Sequence, residues 1–134
     1  MKKIVGIGFL VFLLILSSCS ADIELKDYLD MDKPFNLTIN TTNSETGLTE
    51  RNSQTLEVDS DRWKKIILWG QNNTEGWTPS LASHIGDVYV LQSNFRLIYS
   101  KGSKGVVISF TDKAGISKQY MNVIEKEDLN FLYE

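Results

Sequence analysis

The sequence predicts an α+β domain: a single antiparallel sheet of about five to six strands, one main helix packed on a face, and a short C-terminal helix. Three observations carry this expectation. From Phe35 apolar and polar residues alternate at period two. Between Ser60 and Gly70 the apolar spacing changes to that of a helix. The last third is a series of short β-branched and aromatic runs separated by turn residues.

In chain order, "FNLTINTT" sets Phe35, Leu37 and Ile39 against Asn36, Thr38 and Asn40, the pattern of a half-buried strand. "NSETGLTERNSQ", Asn43 to Gln54, reads as a polar loop around Gly47. "TLEVD" alternates again through Leu56 and Val58. The two runs are expected to pair as a hairpin with a long connection.

"SDRWKKIILWGQNN" reads as a helix. Ser60 is a good N-cap because its hydroxyl can accept a free backbone N–H, and Asp61 suits the positive end. Trp63, Ile66 and Ile67 share one face at i, i+3, i+4, with Lys64 and Lys65 off it. Gly70 is expected to end the helix in a left-handed turn. The competing reading is a strand through Lys65 to Trp69. Four more apolar runs follow, "DVYVLQS", "NFRLIYS", "GVVISFTD" and "KQYMNVI", with "KGSKG" and "DKAG" as turns. "EKEDLNFLYE" supplies a terminal helix or turn, with Leu129 and Leu132 set against the sheet.

The N-terminus has a different build. Met1-Lys2-Lys3 is basic, Ile4 to Leu16 is an unbroken apolar run of 13 residues, and Ser17 and Ser18 are small. This is the three-part plan of a secretory signal peptide. Thirteen residues fall short of the roughly 17–25 that a spanning helix needs. Leu16-Ser17-Ser18-Cys19 resembles the lipobox of bacterial lipoproteins. That resemblance covers residues 1–19 and implies cleavage before Cys19, with a diacylglyceryl group on its thiol. Two or three acyl chains hold a protein on a membrane where one does so only marginally. In two-membrane cells an Asp after the Cys tends to retain such proteins in the inner membrane. Ser20 in its place implies the outer membrane, facing the periplasm. In a single-membrane cell the domain faces outside.

Cys19 is the only cysteine, so an internal disulfide is excluded and the core must hold the fold. Removal of residues 1–18 takes away Lys2 and Lys3. Of 14 basic residues, 12 then face 17 acidic ones, a net charge of −5. That balance argues against nucleic acid or anionic lipid as a partner. The expected organisation is a signal peptide over 1–18, a lipidated N-terminus and short tether over 19–33, and one globular domain over 34–134. Leu25 and Leu29, with Tyr28 beside them, allow a short amphipathic helix in the tether, and Pro34 ends it.

Chemistry is sparse. The single histidine, His84, sits in "SLASHIG" near Ser80 and Ser83, without a Gly-x-Ser-x-Gly elbow. One histidine and one acylated cysteine do not make a zinc site. "KGSKG" lacks phosphate-loop spacing. Acid pairs such as Glu57/Asp59 and Glu125/Glu127 fall at element edges. The candidate binding segment is "WGQNNTEGWTPS", with Trp69, Asn72, Asn73 and Trp77: two tryptophans flank a polar loop, a composition suited to contact. The bland reading has Trp69 and Trp77 cap the core.

The expected function is a lipid-anchored, non-catalytic envelope protein without metal or cofactor, whose domain binds another protein, in its sharper form an inhibitor or immunity-type protein. The alternative is a structural or assembly factor contacting peptidoglycan or an outer-membrane complex. A hydrolase ranks last.

Overall fold

The computed structural model describes residues 20–134. The expected signal peptide and Cys19 lie outside the described residues. The fold is α+β, as expected, but its open antiparallel sheet has seven strands rather than five to six, in the order β2-β1-β4-β5-β6-β7-β3.

The first departure lies in the hairpin. β1 (Phe35–Thr42) pairs along its whole length with β2 (Thr49–Leu56), Phe35 opposite Leu56 and Thr42 opposite Thr49. The second half of the expected polar loop is therefore strand, and residues 43–48 turn. β2 is an edge strand that buries Leu56 alone, so no apolar alternation marks it in the sequence. Backbone pairing and hydroxyl contacts hold it instead: Thr38 Oγ1 lies 2.9 Å from Ser53 Oγ, and Thr42 Oγ1 lies 2.9 Å from Thr49 Oγ1. Asn43 closes the turn by accepting from the amides of Glu45 and Thr46, and Gly47 supplies the positive φ of 68°.

The second departure is β3 (Thr78–Pro79), a two-residue strand on the outer edge of β7. It is too short to show a period, and its proline is tolerated because it lies at an edge. The remaining strands, β4 (Val88–Gln92), β5 (Phe95–Tyr99), β6 (Gly105–Thr111) and β7 (Ser117–Val123), form the expected meander, with β4 returning beside β1.

One face of the sheet carries Phe35, Leu37, Val88, Val90, Phe95, Leu97, Tyr99, Val106, Ile108 and Phe110 into the core. Helix α1 (Asp61–Asn72) joins the same core with Trp63, Ile66, Ile67 and Trp69, which settles the helix-or-strand ambiguity. Ser60 stands at the N-cap, but its hydroxyl makes no capping hydrogen bond and is buried without a partner among the described residues. Gly70 does not end the helix. It is buried inside it, and a β-carbon there would lie 3.2 Å from Leu29 Cδ1 and 3.6 Å from Leu25 Cβ. The missing side chain admits the N-terminal segment, and α1 ends two residues later.

That segment is packed rather than free. Ala21 and Trp77 exchange backbone hydrogen bonds of 2.6 and 3.1 Å, and the Ile23 amide donates to the Thr74 carbonyl at 2.7 Å. Ile23, Leu25 and Leu29 are buried, and the short amphipathic helix expected here is a 3-10 turn at Leu25–Asp27. Gln92, the one buried polar side chain among the described residues, accepts from the Asp30 amide and donates to the carbonyls of Asp30 and Lys33. From Ala21 onward the residues expected as a tether belong to the domain.

The C-terminal helix is a 3-10 turn, Asn130–Tyr133, and Leu129 and Leu132 are buried. Tyr99 Oη donates to the Lys126 carbonyl at 3.2 Å, and the Tyr99 and Tyr133 rings meet edge to face. Burial, with the Asp87 carboxylate second, pushes the Tyr133 phenol up to about 12, against an ordinary value of 10.0. Burial also raises Tyr99. A folded-state pKa above the unfolded one contributes stability that is intact below the unfolded value and is lost as pH rises through the folded value. Thermal melts should therefore fall between about pH 10 and 12, and Tyr133→Phe should flatten that fall. A Tyr133→Phe profile that superimposes on the parent's would contradict the assignment.

Candidate functional site

The turn after α1 brings the four residues of the candidate segment together, but on two sides of the loop. Trp77 is 0 % exposed and Trp69 is also buried, and their rings meet edge to face at 6.3 Å and 87°. Trp77 Nε1 donates to the Asn73 carbonyl at 2.8 Å, and Asn73 Nδ2 donates to the Trp69 carbonyl at 2.8 Å. Asn73 thus caps the last turn of α1 with its side chain and anchors the Trp77 indole with its backbone. Asn72 faces solvent. Outside the loop, Lys65, Leu68, Trp69, Asn72, Asn73, Asp128 and Phe131 line a hollow of about 370 Å³. The buried Trp69 Nε1 has no acceptor among the described residues, an unmade hydrogen bond at the wall of that hollow.

A cavity of about 740 Å³ lies on the other face of the sheet under residues 79–84, with Arg96 and Gln119 in its wall. Ser80 is strapped to β7: its amide donates to the Gln119 carbonyl, and Gln119 Nε2 donates to the carbonyls of Ser80 and Ala82. Ser80 Oγ lies 2.8 Å from His84 Nε2. A serine nucleophile also needs a group that orients the histidine. Among the described residues no carboxylate is hydrogen-bonded to His84 or Ser80. The contact closes the five-residue segment Ser80–His84 on itself.

Residues 80–87 cover part of this outer face and bury Ile98 and Val107 beneath them. Gly86 makes the close approach: a β-carbon there would lie 2.6 Å from the Tyr99 carbonyl oxygen and 2.7 Å from Ile98 Cγ2. The covering is incomplete. Ile85 and Met121 rim a hollow of about 160 Å³ over Ile98 and Val107, and Val123, two residues along the same face of β7, is 73 % exposed. The available signal was the unbroken apolar stretch in β5 and β6, Leu97-Ile98-Tyr99 and Val106-Val107-Ile108, which marks strands with something apolar on both faces.

Among the described residues no group of three or more His, Cys, Asp or Glu side chains is placed to hold a metal ion, and no helix is long and apolar enough to cross a membrane. No family model matches the chain, and neither does any curated protein or solved structure.

Proposed function

We propose that the chain is a lipid-anchored envelope protein, processed before Cys19 and acylated there, whose domain binds another protein without catalysis. In the sharper form of this reading it is an inhibitor or immunity-type protein on the outer membrane, facing the periplasm. The observation that carries the binding function is the apolar cluster of Ile85, Met121 and Val123 on the outer face. Ile85 and Met121 rim a shallow hollow and Val123 stands exposed two residues along β7, an apolar composition suited to a docking surface. The Trp69–Trp77 loop contributes less contact area, since both indoles are turned into the core.

The test compares the mature lipoprotein with Val123→Asp and Ile85→Asp forms, using crosslinking in isolated envelopes followed by partner identification. The reading expects a specific partner whose recovery falls at least tenfold in both variants, with melting unchanged. Equal recovery from all three forms would remove the outer face from the account. A captured toxin or hydrolase supports the inhibitor form, and an envelope-assembly protein supports the alternative. The Ser80–His84 contact gives a second reading, a serine hydrolase. It requires labelling of Ser80 by a fluorophosphonate probe.

A further inference from the structure

The geometry points to one end of the sheet, built from the loops that carry Met31, Leu81 and Ile116, as a contact with the bilayer itself. This rests on the lipid-anchored reading and adds an orientation to it.

The direction of the chain is the first observation. Ala21 pairs with Trp77 in antiparallel sense, so the step from Ala21 back to Ser20 runs the way β3 runs, toward Ser80 and Leu81. Cys19 is two residues from Ala21, and two residues span at most about 7 Å. In this proposal the acyl group on Cys19 enters the membrane on the side toward which that step points. The packing of Ala21 agrees, since it shares a hollow with Asp112 and Lys118 at the β6–β7 turn.

The second observation is what that end exposes. Leu81, immediately after Ser80, is fully exposed. Ile116, in the β6–β7 turn and next to Ser117, is 54 % exposed; Leu81 and Ser117 line the same cavity. Met31 is 45 % exposed in the loop that Gln92 and Ser93 hold against the β4–β5 turn. Three large apolar side chains on three separate loops thus stand at this end, with Lys33 and Lys113 on the same loops and Asp30 and Asp32 on either side of Met31. Apolar side chains flanked by lysines suit the boundary between headgroups and acyl chains. Asp22 and Asp112 lie at the same end, which favours a zwitterionic surface over an anionic one. With this end down, the strands rise from the membrane. Ile85 and Val123 then sit toward the far end of the outer face, and the β1–β2 turn points into the aqueous compartment.

The test uses the full mature lipoprotein, in which the thioether blocks Cys19. Single cysteines at Leu81, Ile116, Met31 and, as the distal reference, Glu45 are labelled with an environment-sensitive fluorophore. The proteins are reconstituted in phosphatidylcholine vesicles containing a nitroxide lipid. The expected result is blue-shifted emission at 81 and 116, and several-fold stronger quenching there and at 31 than at 45. Emission and quenching equal to those at 45, with the acyl group shown by mass to be present, would overturn the inference and leave these side chains facing water or a protein partner. Absence of the acyl group would overturn both the inference and the reading beneath it.

Discussion

Trp77→Ala is expected to cost about 3–5 kcal/mol of folding stability, the usual range for truncating a buried tryptophan. Trp77 is 0 % exposed, and its ring packs edge to face on Trp69 at 6.3 Å. Its indole N–H holds the Asn73 carbonyl, and its backbone exchanges two hydrogen bonds with Ala21. The substitution opens a cavity where α1, the N-terminal segment and β3 meet. A domain of this size has only about 5–15 kcal/mol in hand, so the midpoint of thermal unfolding should fall by roughly 10 °C or more. Asn73→Ala, which removes the cap on the Trp69 carbonyl, should cost about 1 kcal/mol. A Trp77→Ala protein that melts with the parent would return the indole to the surface and to the binding reading.

Gly86→Ala carries the other large effect. The new methyl would stand 2.6 Å from the Tyr99 carbonyl oxygen and 2.7 Å from Ile98 Cγ2. The nearer obstacle is the backbone of β5, which cannot swing away as a side chain can. Either the strand shifts, or residues 80–87 lift and expose Ile98 and Val107 to water. Overpacking of this kind costs about 1–3 kcal/mol or more. Gly47→Ala provides the contrast. Gly47 has φ 68° and nothing within 4 Å of the β-carbon position. It should lose only the roughly 1 kcal/mol of left-handed strain. Denaturant titrations of the two proteins measure the difference. A Gly86→Ala midpoint no lower than that of Gly47→Ala would mean that the loop is not closely seated.

The parts of the fold that were legible in the sequence are those whose side chains report burial. Phe35, Leu37 and Ile39 alternate because one face of β1 meets the core, and Trp63, Ile66 and Ile67 recur because one stripe of α1 does. β2 was hidden because it lies at an edge and pairs through backbone groups and hydroxyls, which leave no hydrophobic period. β3 was hidden because two residues have no period at all. Gly70 was misplaced because a glycine near a helix end serves equally as a terminator or as a gap for a neighbour. Only the position of Leu29, 41 residues earlier, decides between them. The same limit applies to the candidate site. Trp69 and Trp77 have the composition of a contact surface, but their direction depends on Ala21 and Asn73. The exposed Ile85 and Val123 belong to no motif; they emerge once the order β5-β6-β7-β3 has brought their strands and loop onto one face.

The central claim is that this domain is held to a membrane through Cys19, and the intact mass of the protein recovered from the envelope fraction tests it most directly. The account predicts a chain that begins at Cys19, carries the mass of a diacylglyceryl group with or without a further acyl chain, and partitions into detergent. Cys19→Ser should lose the added mass and the cleavage together. A mass equal to the uncleaved chain, or to a processed chain with an unmodified thiol at Cys19, would contradict it.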